Sequence, residues 1–204
     1  MRNLQKIILS ILAIYIFSCS SEELNAPFEV GSPNNSLRAV ISMDGGVPYY
    51  SLTFNGTLIV DNSRLGINTD KFSLSDQLKV IKVKRRSQNK RWDQVWGEQK
   101  IVQDNHNELE LTLFCTVEKT RMILRFRMFN DGMGFRYEIP KQGKISDFTI
   151  LDELTEFNLA EDSPSWWIPA YAYRRYEFLY ANTLISEISR DKFSELIENL
   201  SGPR

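Results

Sequence analysis

Between Leu37 and Ile139 apolar side chains recur at every second position, and most runs are broken by a glycine-bearing turn. Leu37, Ala39, Ile41 and Met43 alternate with Arg38 and Ser42. Leu109, Leu111, Leu113, Cys115 and Val117 share one face, with Glu110, Thr112 and Thr116 on the other; Met122, Leu124, Phe126 and Met128 stand against Arg125 and Arg127. Successive side chains of a strand point to opposite faces, so this period demands strands buried on one side. Tyr50, Leu52 and Phe54 form one face of a further strand, and Asn55-Gly56 returns the chain into Leu58-Ile59-Val60. Asn-Gly suits a two-residue hairpin because both central positions take positive φ. Asp44-Gly45-Gly46 and Asp131-Gly132 break the pattern in the same manner, and Pro140 ends the run Phe135, Tyr137, Ile139. Strands at short spacing with such turns predict a mainly β fold, a large antiparallel sandwich.

Two segments read as interruptions. Residues 61–76 are polar and loop-like around a short packed piece at Leu65-Gly66-Ile67. Lys84, Arg85, Arg86, Lys90 and Arg91 form a basic run whose plainest reading is a solvated loop between strands. With 204 residues, 42% of them hydrophobic, the chain can bury a substantial core. A formal net charge of -1 argues against nucleic acid, which calls for a basic patch or stripe.

The ends differ from the middle. Arg2 and Lys6 precede an apolar run from Ile7 to Phe17, then Ser18 and Cys19, the layout of a lipoprotein-type signal whose cysteine is acylated. That run is too short to cross a bilayer core of about 30 Å as a helix. The chain therefore divides into a signal and lipobox at 1–19 with Cys19 as the lipidation site, a tether at 20–28, a sandwich at 29–188 and a helical tail at 189–204. The tail carries Phe193, Leu196, Ile197 and Leu200 at the spacing of one helix face, with Gly202-Pro203 after it. Once Cys19 is lipidated, Cys115 is the other thiol and reads as a small buried hydrophobe.

No nucleophile-base pair stands out, so no catalytic residue is assigned. The single histidine, His106, lies in Asp104-Asn105-His106-Asn107 and reads as an exposed turn residue. One histidine and two cysteines exclude a four-ligand zinc site of that type. The densest aromatic stretch runs from Trp166 and Trp167 through Tyr171, Tyr173 and Tyr176 to Tyr180, with Glu177 embedded. Such a segment either closes the sandwich as a buried cluster or stacks on sugar rings, and its carboxylate can serve a hard cation.

From about Phe28 to Ile188 the sequence resembles the amino-terminal domain of glycoside hydrolase family 97. The resemblance is carried by Ser32-Pro33, Asp44-Gly45-Gly46-Val47-Pro48-Tyr49-Tyr50-Ser51, Arg64-Leu65-Gly66-Ile67, Trp96-Gly97-Glu98 and Asn107-Glu108-Leu109. Asn130-Asp131-Gly132, Phe135-Arg136-Tyr137, Tyr176-Glu177-Phe178-Leu179-Tyr180 and Ser186-Glu187-Ile188 follow in order. It implies a sandwich of galactose-mutarotase-like type packed on a catalytic (β/α)8 barrel, in Bacteroidetes enzymes acting on α-glucosides and α-galactosides. It also implies an active-site calcium, held mainly by barrel glutamates with one ligand lent by the sandwich. Glu177 matches that ligand, and Trp166, Trp167 and Tyr176 match substrate-binding or domain-interface residues.

Downstream of Ile188 the pattern fades, where a barrel of about 250 residues is expected. The expected function is accordingly that of a carbohydrate-associated domain, inactive alone, that braces a catalytic barrel from a separate chain and lends it a calcium ligand. Expected partners are an α-linked glucan or oligosaccharide and a membrane, through the lipid anchor; the expected place is the cell envelope, periplasmic or on the outer-membrane surface. The alternatives are a stand-alone surface carbohydrate-binding module and a non-functional truncated gene product.

Overall fold

The computed structural model describes residues 24, 27–143, 145, 147–168, 180–192 and 194. In chain order its strands are β1 (Phe28–Gly31), β2 (Leu37–Asp44), β3 (Val47–Phe54), β4 (Thr57–Arg64), β5 (Ile67–Thr69), β6 (Ser73–Leu74) and β7 (Leu78–Asp93). β8 (Ile101–Cys115), β9 (Thr120–Met128), β10 (Met133–Glu138), β11 (Ile150–Glu153), β12 (Asn158–Leu159), β13 (Pro164–Trp167) and β14 (Ala181–Leu184) complete them. A 3-10 turn, Ile185–Glu187, follows. Among the described residues no helix is long and apolar enough to cross a membrane.

Two main sheets form the sandwich. One has the order β1-β2-β3-β4-β12 and the other β10-β9-β8-β7, every neighbouring pair antiparallel. Their inner faces supply one hydrophobic core: Phe28, Ala39, Ile41 and Tyr50 from the first sheet, Leu109, Leu111, Leu113, Met122, Leu124, Phe126 and Met128 from the second. Apart from Phe28 these are the alternating positions that the sequence marks, and burying a Leu, Ile, Phe or Met side chain contributes roughly 1.5–3 kcal/mol. Cys115 is buried among them, as expected. Asn55 and Gly56 take φ of 48° and 83° between β3 and β4, the left-handed pair that the hairpin requires.

A three-stranded sheet of order β11-β5-β6 closes one side. Residues 61–76 are therefore more ordered than a loop: β4 runs on to Arg64, and Leu65, Ile67 and Leu74 are buried. Tyr137 fastens this sheet to β10. Its hydroxyl accepts a bond from the Gly66 amide at 3.1 Å and shares another with Thr155 Oγ1 at 2.7 Å.

The basic run is a strand, not a loop. Lys84, Arg85, Arg86, Lys90 and Arg91 belong to β7, which pairs with β8 from Leu78 to Asp93. β9 covers β8 only from Asn107 onward. Gln88–Asp93 and Ile101–His106 thus continue as a two-stranded ribbon, with Val95 and Trp96 89% and 88% exposed near its tip. In a ribbon of polar side chains the register is set by the connecting turn and by the apolar pairs nearer the core.

Candidate functional site

The outer face of the second sheet is a grid of charges set by strand register. Residues directly opposite share a face, so Lys84, Glu110, Arg125 and Arg136 form one row across β7, β8, β9 and β10. Arg86, Glu108, Arg127 and Gly134 form the next. Cations and carboxylates alternate across both rows until β10. Arg125 donates from Nε to Glu138 Oε1 at 2.7 Å and from Nη2 to Glu110 Oε2 at 2.9 Å, and it also bonds Glu108. Arg127 Nε donates to Glu108 Oε2 at 2.9 Å, and Lys84 Nζ to Glu110 Oε1 at 2.7 Å.

This pairing explains how Glu108 and Glu110 are buried while charged. Burial pushes both carboxyls upward, but bonds from Arg127 and Arg125 to Glu108, and from Lys84 with the Arg125 charge to Glu110, outweigh it and leave both low. The Arg125 fork, helped by Arg136, holds Glu138 down to about 2 against its partial burial. Bonding to Glu138 in turn raises Arg125 further.

His106 corrects the sequence reading. It lies within β8, is 3% exposed, shares an Nδ1 contact with Asp104 and packs on Phe129 with ring centroids 5.1 Å apart. Turn-forming neighbours suggested exposure; the long pairing of β8 with β7 and the Phe129 ring enclose it.

A second feature is the β13–β14 hairpin, where Trp166 pairs with Asn182 and Trp167 with Ala181. Trp166 is 71% exposed, whereas Trp167 is half-buried and donates from Nε1 to Thr183 Oγ1 at 3.0 Å. Beside it a cavity of about 420 Å³ is lined by Phe157, Leu159, Asp162, Ile185 and Ser186 among others. Asp162 accepts from the Ser186 hydroxyl at 2.6 Å and its amide at 3.0 Å, bonds that lower its pKa and tie the 3-10 turn back to the chain before β13. Ile150, Leu151, Phe157, Leu159, Tyr180 and Ile188 are also exposed in this part of the chain. Large exposed apolar side chains in such number mark an interaction surface.

A profile of the glycosyl-hydrolase 97 N-terminal family matches residues 30–200. The chain belongs to this family. Solved structures that it is similar to include a family 97 enzyme from Pseudoalteromonas sp. strain K8 in complex with acarbose, and a variant of a family 97 enzyme from that strain in complex with panose. For each the identity is 36% and the TM-score 0.71, over 76% of this chain and 24% of the other. A β-arabinopyranosidase is 24% identical with a TM-score of 0.65, over 70% of this chain and 23% of that one, and shares the fold. The chain thus spans about a quarter of the length of the solved enzymes it matches.

For this family 97 N-terminal domain the mainly β sandwich expected from the sequence holds. Of the site residues named from sequence, Trp166 and Trp167 stand on adjacent positions of β13, one exposed and one anchored. Cys19, Tyr176, Glu177 and most of the helical tail lie outside the described residues; the tail is helical at 190–192 and 194. Among the described residues no group of three or more Asp, Glu, His or Cys is placed to hold a metal. Calcium takes about 6–8 oxygens, so these residues do not by themselves form a calcium site. The family 97 domain's charge grid was missed. Its signal was present, since Glu108, Glu110, Arg125 and Arg127 all fall on the polar phase of their strands; the partners of each required the register.

Proposed function

We propose that this chain works as the bracing sandwich of a family 97 α-glycosidase. In this reading its apolar strip packs against a catalytic barrel, and Glu177 adds one carboxylate to a calcium site whose other ligands the barrel supplies. Trp166, Trp167 and Tyr176 serve as substrate wall or interface, and an α-linked glucan is the sugar handled by the assembly. Cys19 would carry the lipid that holds the chain at the cell envelope. The observation that carries the reading is the match of residues 30–200 to a family 97 N-terminal profile, in a chain covering 24% of enzymes solved with panose and acarbose. The exposure of Trp166, Phe157 and Leu159 supports it, because large apolar side chains left open in such number call for a cover.

The test is to assay the purified 204-residue chain on nitrophenyl α-glucoside and to titrate it calorimetrically with panose. No turnover and no saturable heat are expected. Turnover by the chain alone would remove the bracing role, and heat saturating at one site would replace it with a carbohydrate-binding module. In complex with a family 97 barrel, Glu177→Gln should weaken calcium binding at least tenfold; equal binding would sink the ligand assignment.

A further inference from the structure

The charge grid is unbalanced, and its imbalance is concentrated at a cavity. Lys84, Arg86, Arg125, Arg127 and Arg136 are five cations linked to three carboxylates, Glu108, Glu110 and Glu138, and Asp104 adds a fourth negative charge near Arg127, which leaves one cation in surplus in this group. The row Arg86–Glu108–Arg127 ends on Gly134, the residue facing Arg127 across β9 and β10. A side chain at Gly134 would find nothing within 4 Å, so the next cell of the grid is empty space. That space is a cavity of about 240 Å³ lined by Arg125, Arg127, Arg136, Gly134, Phe129 and Phe135.

The three arginines around it are not equally committed. Arg125 is spent on three carboxylates and is nearly buried. Arg127 gives only its Nε, to Glu108, and is 43% exposed. Arg136 gives Nε and Nη2 to Glu138 and is 63% exposed. Among the described residues, both Nη groups of Arg127 and Nη1 of Arg136 have no protein acceptor, so donors of two guanidinium groups remain at the cavity.

We propose that this cavity binds the carboxylate of a single acidic sugar ring, a hexuronate. Two guanidinium tips match a carboxylate by forked, charge-assisted bonds. The Phe129 ring offers apolar wall for the carbon face of the sugar, whereas Phe135 turns its own ring into the core against Tyr50 and Phe126. At about 240 Å³ the cavity lies just below the ~300 Å³ at which pockets for larger ligands begin, which suits one ring rather than a chain. Glu108 and Glu138 lie beneath the arginines, holding them in place while neutralising only part of their charge. The proposal rests on Arg127, Arg136 and Gly134 and uses none of the residues assigned to the bracing role.

The experiment is calorimetric titration of the 204-residue chain with glucuronate, glucose and sulfate, at low salt and neutral pH. Glucuronate should bind at one site, and at least tenfold more tightly than either glucose or sulfate. Arg127→Gln with Arg136→Gln should reduce glucuronate affinity at least tenfold, while Arg121→Gln leaves it unchanged. Gly134→Leu fills the cavity without altering charge and should abolish binding, which guards against a double variant that fails to fold. Glucuronate no tighter than glucose overturns the proposal, as does undiminished binding in Gly134→Leu. Sulfate binding as tightly as glucuronate removes the sugar from it.

Discussion

Arg125 and Glu138 face one another from β9 and β10 in a two-pronged ion pair, Nε to Oε1 at 2.7 Å and Nη2 to Oε2 at 3.1 Å. The same guanidinium reaches Glu108 and Glu110 on β8, so one side chain neutralises carboxylates from two neighbouring strands. Removing it leaves Glu108 and Glu110 buried with reduced compensation.

Replacing Arg125 with Met should therefore cost about 3–5 kcal/mol, the usual effect of orphaning one half of a buried pair. In a chain of this size that corresponds to a fall in melting temperature of roughly 10 °C. Arg136→Met, at a far more exposed position, should lie within about 1 kcal/mol of the parent. Differential scanning calorimetry of the two variants decides; equal losses would mean that the Arg125 contacts do not hold the sheet together.

Stability should fall in acid. The folded-state carboxyls of Glu108, Glu110 and Glu138 all lie below their ordinary value, the last at about 2. Groups depressed in this way stabilise the fold fully above the unfolded carboxylate pKa of about 4.3, and that contribution drains away as pH drops toward the folded values. Urea midpoints followed by circular dichroism should be level from pH 7 to about pH 5 and decline steadily down to pH 2.5. A flat profile across the acid range would show the grid to be energetically idle.

Cys115 sits 2% exposed on the inner face of β8, its Sγ directed at the Asp76 carbonyl. An aromatic disulfide reagent should leave it unmodified in the folded chain and label it fully in urea. Rapid labelling under native conditions would contradict the packing of the strand pair.

The paired tryptophans should respond oppositely to substitution. Trp166→Ala, at an exposed position, should change stability by no more than about 0.5 kcal/mol. Trp167→Phe loses the bond to Thr183 and should cost about 1 kcal/mol. Denaturant titrations of both report the difference, and a larger effect from Trp166 would place the wrong ring inward.

Much of the fold was legible because a period of two is a local property. Leu109 to Cys115 and Met122 to Met128 announce both their faces without reference to any partner. Asn55-Gly56 announces its hairpin for the same reason. Lys84 to Arg91 were misread since a strand without a buried face has no apolar phase; what keeps them extended is the backbone ladder to β8. His106 failed similarly, because Phe129, which covers it, is brought alongside only by the pairing of β8 with the neighbouring strand β9. The charge grid required register, and register is a relation between segments that alternation alone leaves open. The site named from sequence divides along the same line. Trp166 and Trp167 could be placed by their chemistry, but which of them turns inward depends on Thr183 of the returning strand.

Among the described residues β7 is the last strand of its sheet, and along its sixteen residues every second one turns its backbone groups outward. A free border of that length would ordinarily template another chain, as in fibre growth. Seven lysines and arginines, Lys79, Lys82, Lys84, Arg85, Arg86, Lys90 and Arg91, are strung along it. Two such borders brought together would set like charges against each other along their whole length. The basic segment that reads as a loop thus works against pairing through this rim, and replacing those residues with neutral ones should raise the tendency to associate edge to edge.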